Sequence, residues 1–317
     1  SGFSFSPDFA WFKNRATTKD PRITDILRGT GVEIYPSSSS GNFSQAQGVT
    51  AFNSDGVSVG SDGGYNGSSN GMVLWAWDAG STTSTVAVGD LGSNLPGTSC
   101  SVRANTTAGF SIVKVDNPNS TEARAHGLGV APDLIFCKSL ASGDQWHTYM
   151  KPYGRGYYIN LNMTNAKASS DQFGSQEPTS TLFFVKTNTA SGANKSGGMI
   201  YYCFRNVEGF SQVGTYTGNG SSDGPFINTG FRPAWVLTKR TDSSGDWTIH
   251  DSVREPVNDV GLYLIPNANT AEQDGNRRDF LSNGFKLRTG SSAVNASGGE
   301  YLYMAFAESP FKHALAR

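Results

Sequence analysis

The chain has 317 residues and a formal net charge of −1, and only 16% of its residues are charged, against a usual ~25%. This length allows several cores of roughly 100 residues each. The near-zero charge leaves no basic patch large enough for nucleic-acid binding, and no apolar run approaches the ~20 residues that span a bilayer.

Three stretches of the sequence match one another and predict an internal triplication. Each copy opens with a proline and an apolar run that ends in lysine, at residues 7–13, 132–138 and 233–239. Each closes with a second apolar run, at residues 71–77, 198–204 and 299–306. Such an ordered set of pieces at nearly constant distances indicates an array of one β-rich unit.

A further predicted strand precedes only the second and third units. Residues 109–113 read Gly-Phe-Ser-Ile-Val and residues 209–213 read Gly-Phe-Ser-Gln-Val, about 23 and 24 positions before the prolines of their units, and no strand is predicted at that distance before Pro7. The first unit is therefore expected to lack its first strand. Residues before Ser1, a partner chain or the segment 109–115 would complete it.

The first unit contains several recognisable elements in chain order. Residues 9–13 predict a strand, residues 23–28 a short second segment, and residues 35–47 an exposed Ser- and Gly-rich loop. Asn53-Ser54-Asp55-Gly56 predicts a hairpin, because Asp-Gly between apolar residues favours that turn. Residues 72–77 predict an all-apolar strand in the centre of its sheet.

Residues 79–104 have no counterpart after the second unit. They are rich in Ser, Thr and Gly, which predicts an inserted linker with a hairpin at residues 85–88. In the later units, runs at 157–162 and 261–266 have strand length. No segment shows an apolar period of 3.6 residues over ten or more positions, so little helix is expected.

Six or seven short strands per unit, joined by polar turns, predict an all-β chain of tandem antiparallel β-sandwich units of jelly-roll-like build. The expected boundaries are repeat 1 at 1–80 without its first strand, a Gly/Ser/Thr-rich linker or insertion at 81–107, repeat 2 at 108–206 and repeat 3 at 207–317. Open strand edges would be covered by neighbouring units or partner chains.

An Asp and an Arg three positions apart recur in the first and third units, as Asp25 with Arg28 and Asp251 with Arg254. Such a pair could recognise a polar ligand or cap a turn by a charge-assisted hydrogen bond. The second unit has neither residue at this place, which favours the turn.

No pattern predicts a metal site or a cofactor. The histidines (His126, His147, His250 and His313) lack ligand spacing, and the turns at residues 53–56 and 62–64 lack the glutamate of a calcium loop. Cys137 and Cys203 fall in predicted strands and are expected to be buried free thiols.

Glycoside hydrolysis needs two carboxylates at a defined separation in a cleft. Spacing singles out no such pair among the candidates Asp144, Asp171, Glu177, Asp246 and Glu255. The chain is therefore expected to be non-enzymatic.

Three tyrosines, Tyr65, Tyr153 and Tyr157, lie in predicted turns rich in Gly and Asn. Exposed tyrosine among small polar residues makes an adaptable binding surface. We treat these three as candidate surface-binding residues.

Residues 215–221 (Thr-Tyr-Thr-Gly-Asn-Gly-Ser) and 229–237 resemble a family of tailed-phage virion proteins from marine and cyanobacterial phages and prophages. Its members are described as tail fibre or other virion structural proteins with a repeated β-rich domain of unknown function. Residues 127–132, 280–289 and 304–312 match as well, so the resemblance covers nearly the whole chain. The resemblance also implies that the Pro-Phe-Lys ending is genuine and that the N-terminus is truncated, processed or attached through further residues.

The resemblance implies a phage virion structural protein, namely a tail fibre or distal appendage involved in host-surface attachment. A capsid decoration or fibre protein with a stabilising role is the alternative, and a carbohydrate-active tailspike enzyme comes third. Expected partners are other virion proteins, a host surface glycan or protein, and further copies of the chain, with a trimer favoured. Neither nucleic acid nor membrane insertion is expected.

The expected location is the virion, with the protein made in the host cytoplasm and exposed on the extracellular particle. Phage fibres usually trimerise, but the triplicated sequence permits another arrangement, in which a single chain supplies three similar units around an axis.

Overall fold

A computed structural model describes residues 3–67, 71–87, 99–118, 123–141, 143–186 and 192–309. This part of the chain is almost entirely β, with every strand pairing antiparallel and one short helix. The predicted all-β class is confirmed.

The first unit is built around a three-stranded sheet in the order β2-β1-β7. Two hairpin-like pairs, β3 with β4 and β5 with β6, lie outside that sheet. Its strands are β1 (Phe9–Asn14), β2 (Arg22–Asp25), β3 (Val32–Glu33), β4 (Phe43–Ser44), β5 (Val49–Asn53), β6 (Gly56–Val59) and β7 (Met72–Trp77).

The second unit contains an eight-stranded sheet in the order β15-β14-β13-β12-β17-β10-β9-β8 and a separate pair, β11 with β16. Its strands are β8 (Thr83–Val86), β9 (Cys100–Asn105), β10 (Phe110–Val115), β11 (Ala123–Ala125), β12 (Leu134–Ser139), β13 (His147–Met150), β14 (Tyr157–Asn160), β15 (Ala168–Ser169), β16 (Leu182–Phe184) and β17 (Met199–Phe204).

The third unit forms an eight-stranded sheet in the order β18-β25-β20-β21-β22-β23-β24-β19. Its elements are β18 (Ser211–Thr217), β19 (Phe226–Asn228), β20 (Pro233–Arg240), β21 (Trp247–Asp251), β22 (Val260–Leu264), β23 (Gln273–Leu281), β24 (Gly284–Leu287), α1 (Ser292–Asn295) and β25 (Glu300–Ala307).

The sheets correct two expectations and decide a third question that the sequence left open. The segment 79–104 is more than a linker, because β8 and β9 extend the second sheet. β8 pairs with β9 and not within the hairpin predicted at residues 85–88, of which residue 88 lies outside the described part. The segment 109–115 contains β10, which pairs with β17 and so completes the second unit. Residues 72–77 form β7 at a sheet edge, not in a sheet centre, because its only described neighbour is β1.

Side chains alternate between the two faces of each strand, and the two faces have different partners. The inner faces of all three sheets meet in one apolar cluster, which we call the shared core. Each outer face packs on its own layer: β5 and β6 in the first unit, β11 and β16 in the second, and the β19, β23 and β24 side of the third. The units are sandwiches, but they share one of their two cores.

Contacts between the units close a ring. Aromatic pairs join the first unit to the second, the second to the third and the third to the first: Phe9 with Tyr202 at 4.7 Å between ring centroids, Phe136 with Trp247 at 6.2 Å, and Trp75 with Trp235 at 6.2 Å. One chain thus supplies three similar units around a common centre.

Candidate functional site

In the second unit, the backbone of β17 is bonded on both edges. Arg205 N donates to Gly109 O at 2.9 Å, and in an antiparallel ladder every second residue from Arg205 then hydrogen-bonds toward β10. The backbone groups of Met199, Tyr201 and Cys203 therefore point toward β10. These three side chains are fully buried.

In the first unit, the matching residues have no strand to bond. Arg15 N donates to Gly71 O at 2.8 Å, so Gly71 and every second residue after it face β1. The backbone groups of Met72, Leu74 and Ala76 point the other way, and no described residue bonds to them. We call these three residues the open edge.

A groove of about 630 Å³ follows the open edge. Residues 73–77 all line it, so it runs along the edge of β7 and not over one face of the strand. It separates the first unit from the third and touches the turn between β9 and β10. Its aromatic lining consists of Phe3, Phe5, Trp75, Trp77, Phe210, Trp235 and Phe306.

Few polar groups face this groove. Trp75 Nε1 donates to Asp251 Oδ2 at 3.1 Å, and both residues are buried. The Nε1 donor of Trp235 is buried and has no acceptor within the described ranges. A buried donor of this kind costs free energy unless an acceptor is supplied. The groove therefore suits an apolar occupant.

The Asp-Arg pairs behave as predicted turn caps. Asp25 Oδ1 accepts the backbone N–H groups of Leu27 and Arg28 at 3.0 Å each, and Arg28 Nε donates to Asp25 Oδ2. Arg254 repeats this geometry on Asp251. Both pairs are buried and fully engaged in their own turns, so the structural interpretation is confirmed.

The candidate tyrosines do not lie together. The expectation that Tyr65 is exposed is wrong, since it is 4% exposed and its hydroxyl donates to Glu33 Oε2 at 2.6 Å. Its ring packs on Phe12, because the turn that carries it folds back over the outer core of the first unit.

Of the other two tyrosines, Tyr153 lies in the turn between β13 and β14, and Tyr157 is the first residue of β14. Tyr153 is half-buried between the second and third units, where its hydroxyl lies 2.7 Å from Thr241 Oγ1. Lys167 Nζ lies 4.5 Å from the centre of the Tyr153 ring. Tyr157 is 40% exposed, so only this member of the set presents a free ring to solvent.

His126 and His250 are buried and held by local contacts. Leu128 N donates to His126 Nδ1 at 3.1 Å, and burial lowers the pKa of His126 to about 4. Burial likewise holds the pKa of His250 well below its ordinary value, and that ring stacks on Tyr263. His313 lies outside the described residues. Within the described ranges, no group of three or more His, Cys, Asp or Glu side chains could hold a metal ion.

The five carboxylates considered for glycoside hydrolysis each accept a hydrogen bond from a different partner. Their partners are Gly192 N for Asp144, Lys186 for Asp171, Tyr149 for Glu177, Asn267 for Asp246 and Gly261 N for Glu255. Cys137 and Cys203 are buried free thiols, as predicted.

Three buried lysines, not anticipated from the sequence, tie the units together. Lys13 Nζ donates to Ala268 O at 2.9 Å in the third unit, and the equivalent bonds are Lys138 to Ser39 O at 2.8 Å and Lys239 to Thr164 O at 3.0 Å. Burial lowers the pKa of each lysine to about 8. The available signal was a lysine kept in all three copies of an otherwise apolar strand.

In comparisons with known proteins, no curated protein and no solved structure matches the chain. The described part of the molecule includes no helix with the length and apolar character that crossing a membrane requires. The sequence does match one family profile, described as Domain of unknown function (DUF7483), over residues 1–310. The chain therefore belongs to the DUF7483 family.

Proposed function

We propose that the chain is a non-enzymatic structural protein of a phage virion, a tail fibre or other distal appendage that helps the particle attach to the host surface. The observation that carries this proposal is the ring of three units around one shared core. A rigid ring of this kind presents three sets of surface loops in fixed positions. The resemblance of residues 215–221 and 229–237 to tailed-phage virion proteins supplies the context.

The surface loops suit a binding role because some are held rigidly. In the third unit, the side chain of Asn295 donates to Asn219 Oδ1 at 3.1 Å and to Ser221 O at 2.8 Å. Asn295 is fully buried, while Asn219 and Ser221 are exposed. A loop fixed from below loses little conformational entropy when it binds.

Localisation in intact particles is the deciding experiment. Gold-labelled antibody against the purified chain, imaged on virions by electron microscopy, is expected to mark the tail or a tail-borne fibre. Label on the capsid lattice would replace the attachment role with decoration. A chain present in infected cells but missing from purified particles would refute the virion assignment.

Binding to the host surface is tested with the exposed tyrosine. We expect the purified chain to bind host cells and Tyr157→Ala to weaken that binding at least three-fold, because its ring is exposed at the start of β14. Phe226→Ala is the matched control, since Phe226 is similarly exposed but belongs to the third unit. Equal binding by wild type and both variants would remove Tyr157 from the site.

Homotrimer formation is part of the same proposal. Light scattering on the purified chain is expected to give three times the monomer mass. A stable monomer would mean that the three internal units replace the three chains of a fibre.

A further inference from the structure

The third unit contains an arginine whose charge is fully buried. Arg278, on β23, is 0% exposed, and its guanidinium lies 5.6 Å from the centre of the Phe285 ring in the outer core of that unit. Burial lowers the pKa of this guanidinium to about 10, and no carboxylate of the described residues offsets that effect. A charge buried without a counter-charge strongly destabilises a fold.

One edge of the Arg278 guanidinium has no partner in the described part of the chain. Nη1 donates to Thr238 Oγ1 at 3.0 Å, whereas Nε and Nη2 are buried and make no hydrogen bond to any described residue. The N–H groups of Nε and Nη2 point the same way, since Nη2 is the terminal nitrogen trans to Cδ. We call these two donors the Arg278 fork. Such a fork suits an anion that accepts two parallel hydrogen bonds.

The same two nitrogens hold anions elsewhere in this molecule. Nε and Nη2 of Arg15 donate to the two carboxylate oxygens of Glu272, at 2.9 and 2.7 Å. Nε and Nη2 of Arg240 donate to the two oxygens of Asp242, at 2.9 and 3.3 Å. The Arg278 fork differs from these two because no side chain of the described ranges supplies the negative charge.

The second unit also buries an arginine, but there the chain supplies the acceptors. Nη1 of Arg124 donates to Ala123 O at 2.9 Å, and Nη2 donates to Asn194 Oδ1 at 3.0 Å. Burial of a guanidinium in an outer core is therefore compatible with this fold when oxygen atoms face it.

The groups around Arg278 leave one positive charge uncompensated. Thr238 lies directly opposite Thr248 in the β20–β21 ladder, so their side chains are neighbours, and Thr248 Oγ1 has no hydrogen-bond partner among the described residues. His250 follows two positions along β21 on the same face. Burial and the charge of Arg278 hold the pKa of His250 well below its ordinary value, and burial raises that of Tyr216, so both side chains are neutral.

We propose that the third unit binds one small monovalent anion, of the size and charge of chloride, at the Arg278 fork, with the hydroxyl of Thr248 as a further donor. A water molecule would satisfy these donors but would leave the charge uncompensated. A small anion is favoured because Arg278 and Thr248 are 0% and 1% exposed, so the anion enters as the unit folds. This inference goes beyond the proposed function and does not depend on the chain belonging to a virion.

The first test compares stability in two salts. The full chain is unfolded in urea and refolded in sodium chloride or in sodium gluconate at equal ionic strength, since gluconate is too large for an enclosed site. An anion that binds only the folded chain raises its stability. We therefore expect the wild type to melt about 5 °C higher in chloride than in gluconate.

Two variants assign this difference to a residue. Arg278→Met should lose the chloride effect, and in gluconate it should be at least as stable as the wild type, because an apolar side chain replaces an uncompensated charge. Arg240→Met is the matched control. It removes a fork that Asp242 already fills, so it should keep the full chloride effect.

The deciding measurement uses the wild type, so it stands even if Arg278→Met does not fold. Crystals of the chain refolded in sodium bromide should show an anomalous bromide peak within hydrogen-bond distance of Arg278 Nε and Nη2. Absence of a peak at this place would overturn the proposal and assign the fork to buried water. An equal chloride effect in the wild type and Arg278→Met would overturn it as well.

Discussion

β7 and β17 have nearly the same sequence character and occupy equivalent places in their units, yet they differ in their surroundings. β17 lies between β12 and β10 in the middle of an eight-stranded sheet. β7 has β1 on one side and an aromatic groove on the other. Each strand places its inward side chains in the shared core.

This difference shows that the side chains and the backbone groups of a strand depend on different neighbours. The inward residues of both strands are set by the shared core. The outward backbone groups of β17 bond to β10, whereas those of β7 meet no strand within the described residues. An all-apolar sequence therefore does not by itself place a strand in the middle of a sheet.

The largest expected effect comes from introducing proline at the equivalent outward positions. Cys203→Pro removes a ladder bond to β10 and places a ring against it, so we expect a loss of more than about 3 kcal/mol in the free energy of unfolding. Ala76→Pro removes a donor that no described residue accepts, so we expect a loss of about 1 kcal/mol or less. Urea denaturation of both variants measures the two losses.

Cys203→Ala controls for the thiol in this comparison, because it shortens the side chain and keeps the N–H group. Similar losses for the two proline variants would mean that the open edge is already paired in solution, and the contrast between β7 and β17 would disappear.

The buried lysines give a smaller effect that depends on pH. The pKa of Lys13 is about 8 in the folded chain, below the ordinary value of 10.5, chiefly because of burial. Between these values the unfolded chain binds more protons, so the contribution of Lys13 to stability rises with pH from about 8 to 10.5. The stability of the wild type relative to Lys13→Met should therefore increase by up to about 3 kcal/mol over this window.

Subtracting the variant cancels the titration of buried tyrosines and cysteines, which both proteins share. Lys138→Met and Lys239→Met should show the same slope, since their pKa values are lowered in the same way. A flat difference would mean that the ammonium groups are hydrated and do not seal the junctions between the units.

Strand positions were predictable where the local pattern decides them. The strand of residues 72–77 has the predicted bounds, and the hairpin predicted at residues 53–56 joins β5 to β6. The edge position of β7 was not predictable, because an all-apolar run reports burial but not which neighbour provides it.

The site was harder to predict than the fold. Tyr65 lies in a Gly-rich turn and was expected to be exposed, but a tertiary contact with Glu33 buries it. The groove consists of residues from all three units, and no local pattern brings Trp75, Phe210 and Trp235 together. Only the comparison of the internal repeats, with a strand missing in one copy, pointed toward it.

The smallest expected effect concerns a polar contact that differs between the units. Tyr202 donates to Asp25 Oδ2 at 2.7 Å, across the junction of the second and first units. The place matching Asp25 in the second unit is Met150, and the third-unit residue matching Tyr202 is Met304, both in the shared core. An aspartate thus occupies this core position where the neighbouring unit supplies a hydrogen-bond donor.

We therefore expect Tyr202→Phe to destabilise the chain by about 2 kcal/mol, since the buried carboxylate of Asp25 loses a hydrogen bond. Tyr216→Phe is the matched control, because its hydroxyl donates to the neutral carbonyl of Val294, and we expect a loss of about 1 kcal/mol. Equal losses, measured by thermal unfolding, would show that Asp25 is satisfied by its own turn and that the donor across the junction adds nothing to the ring.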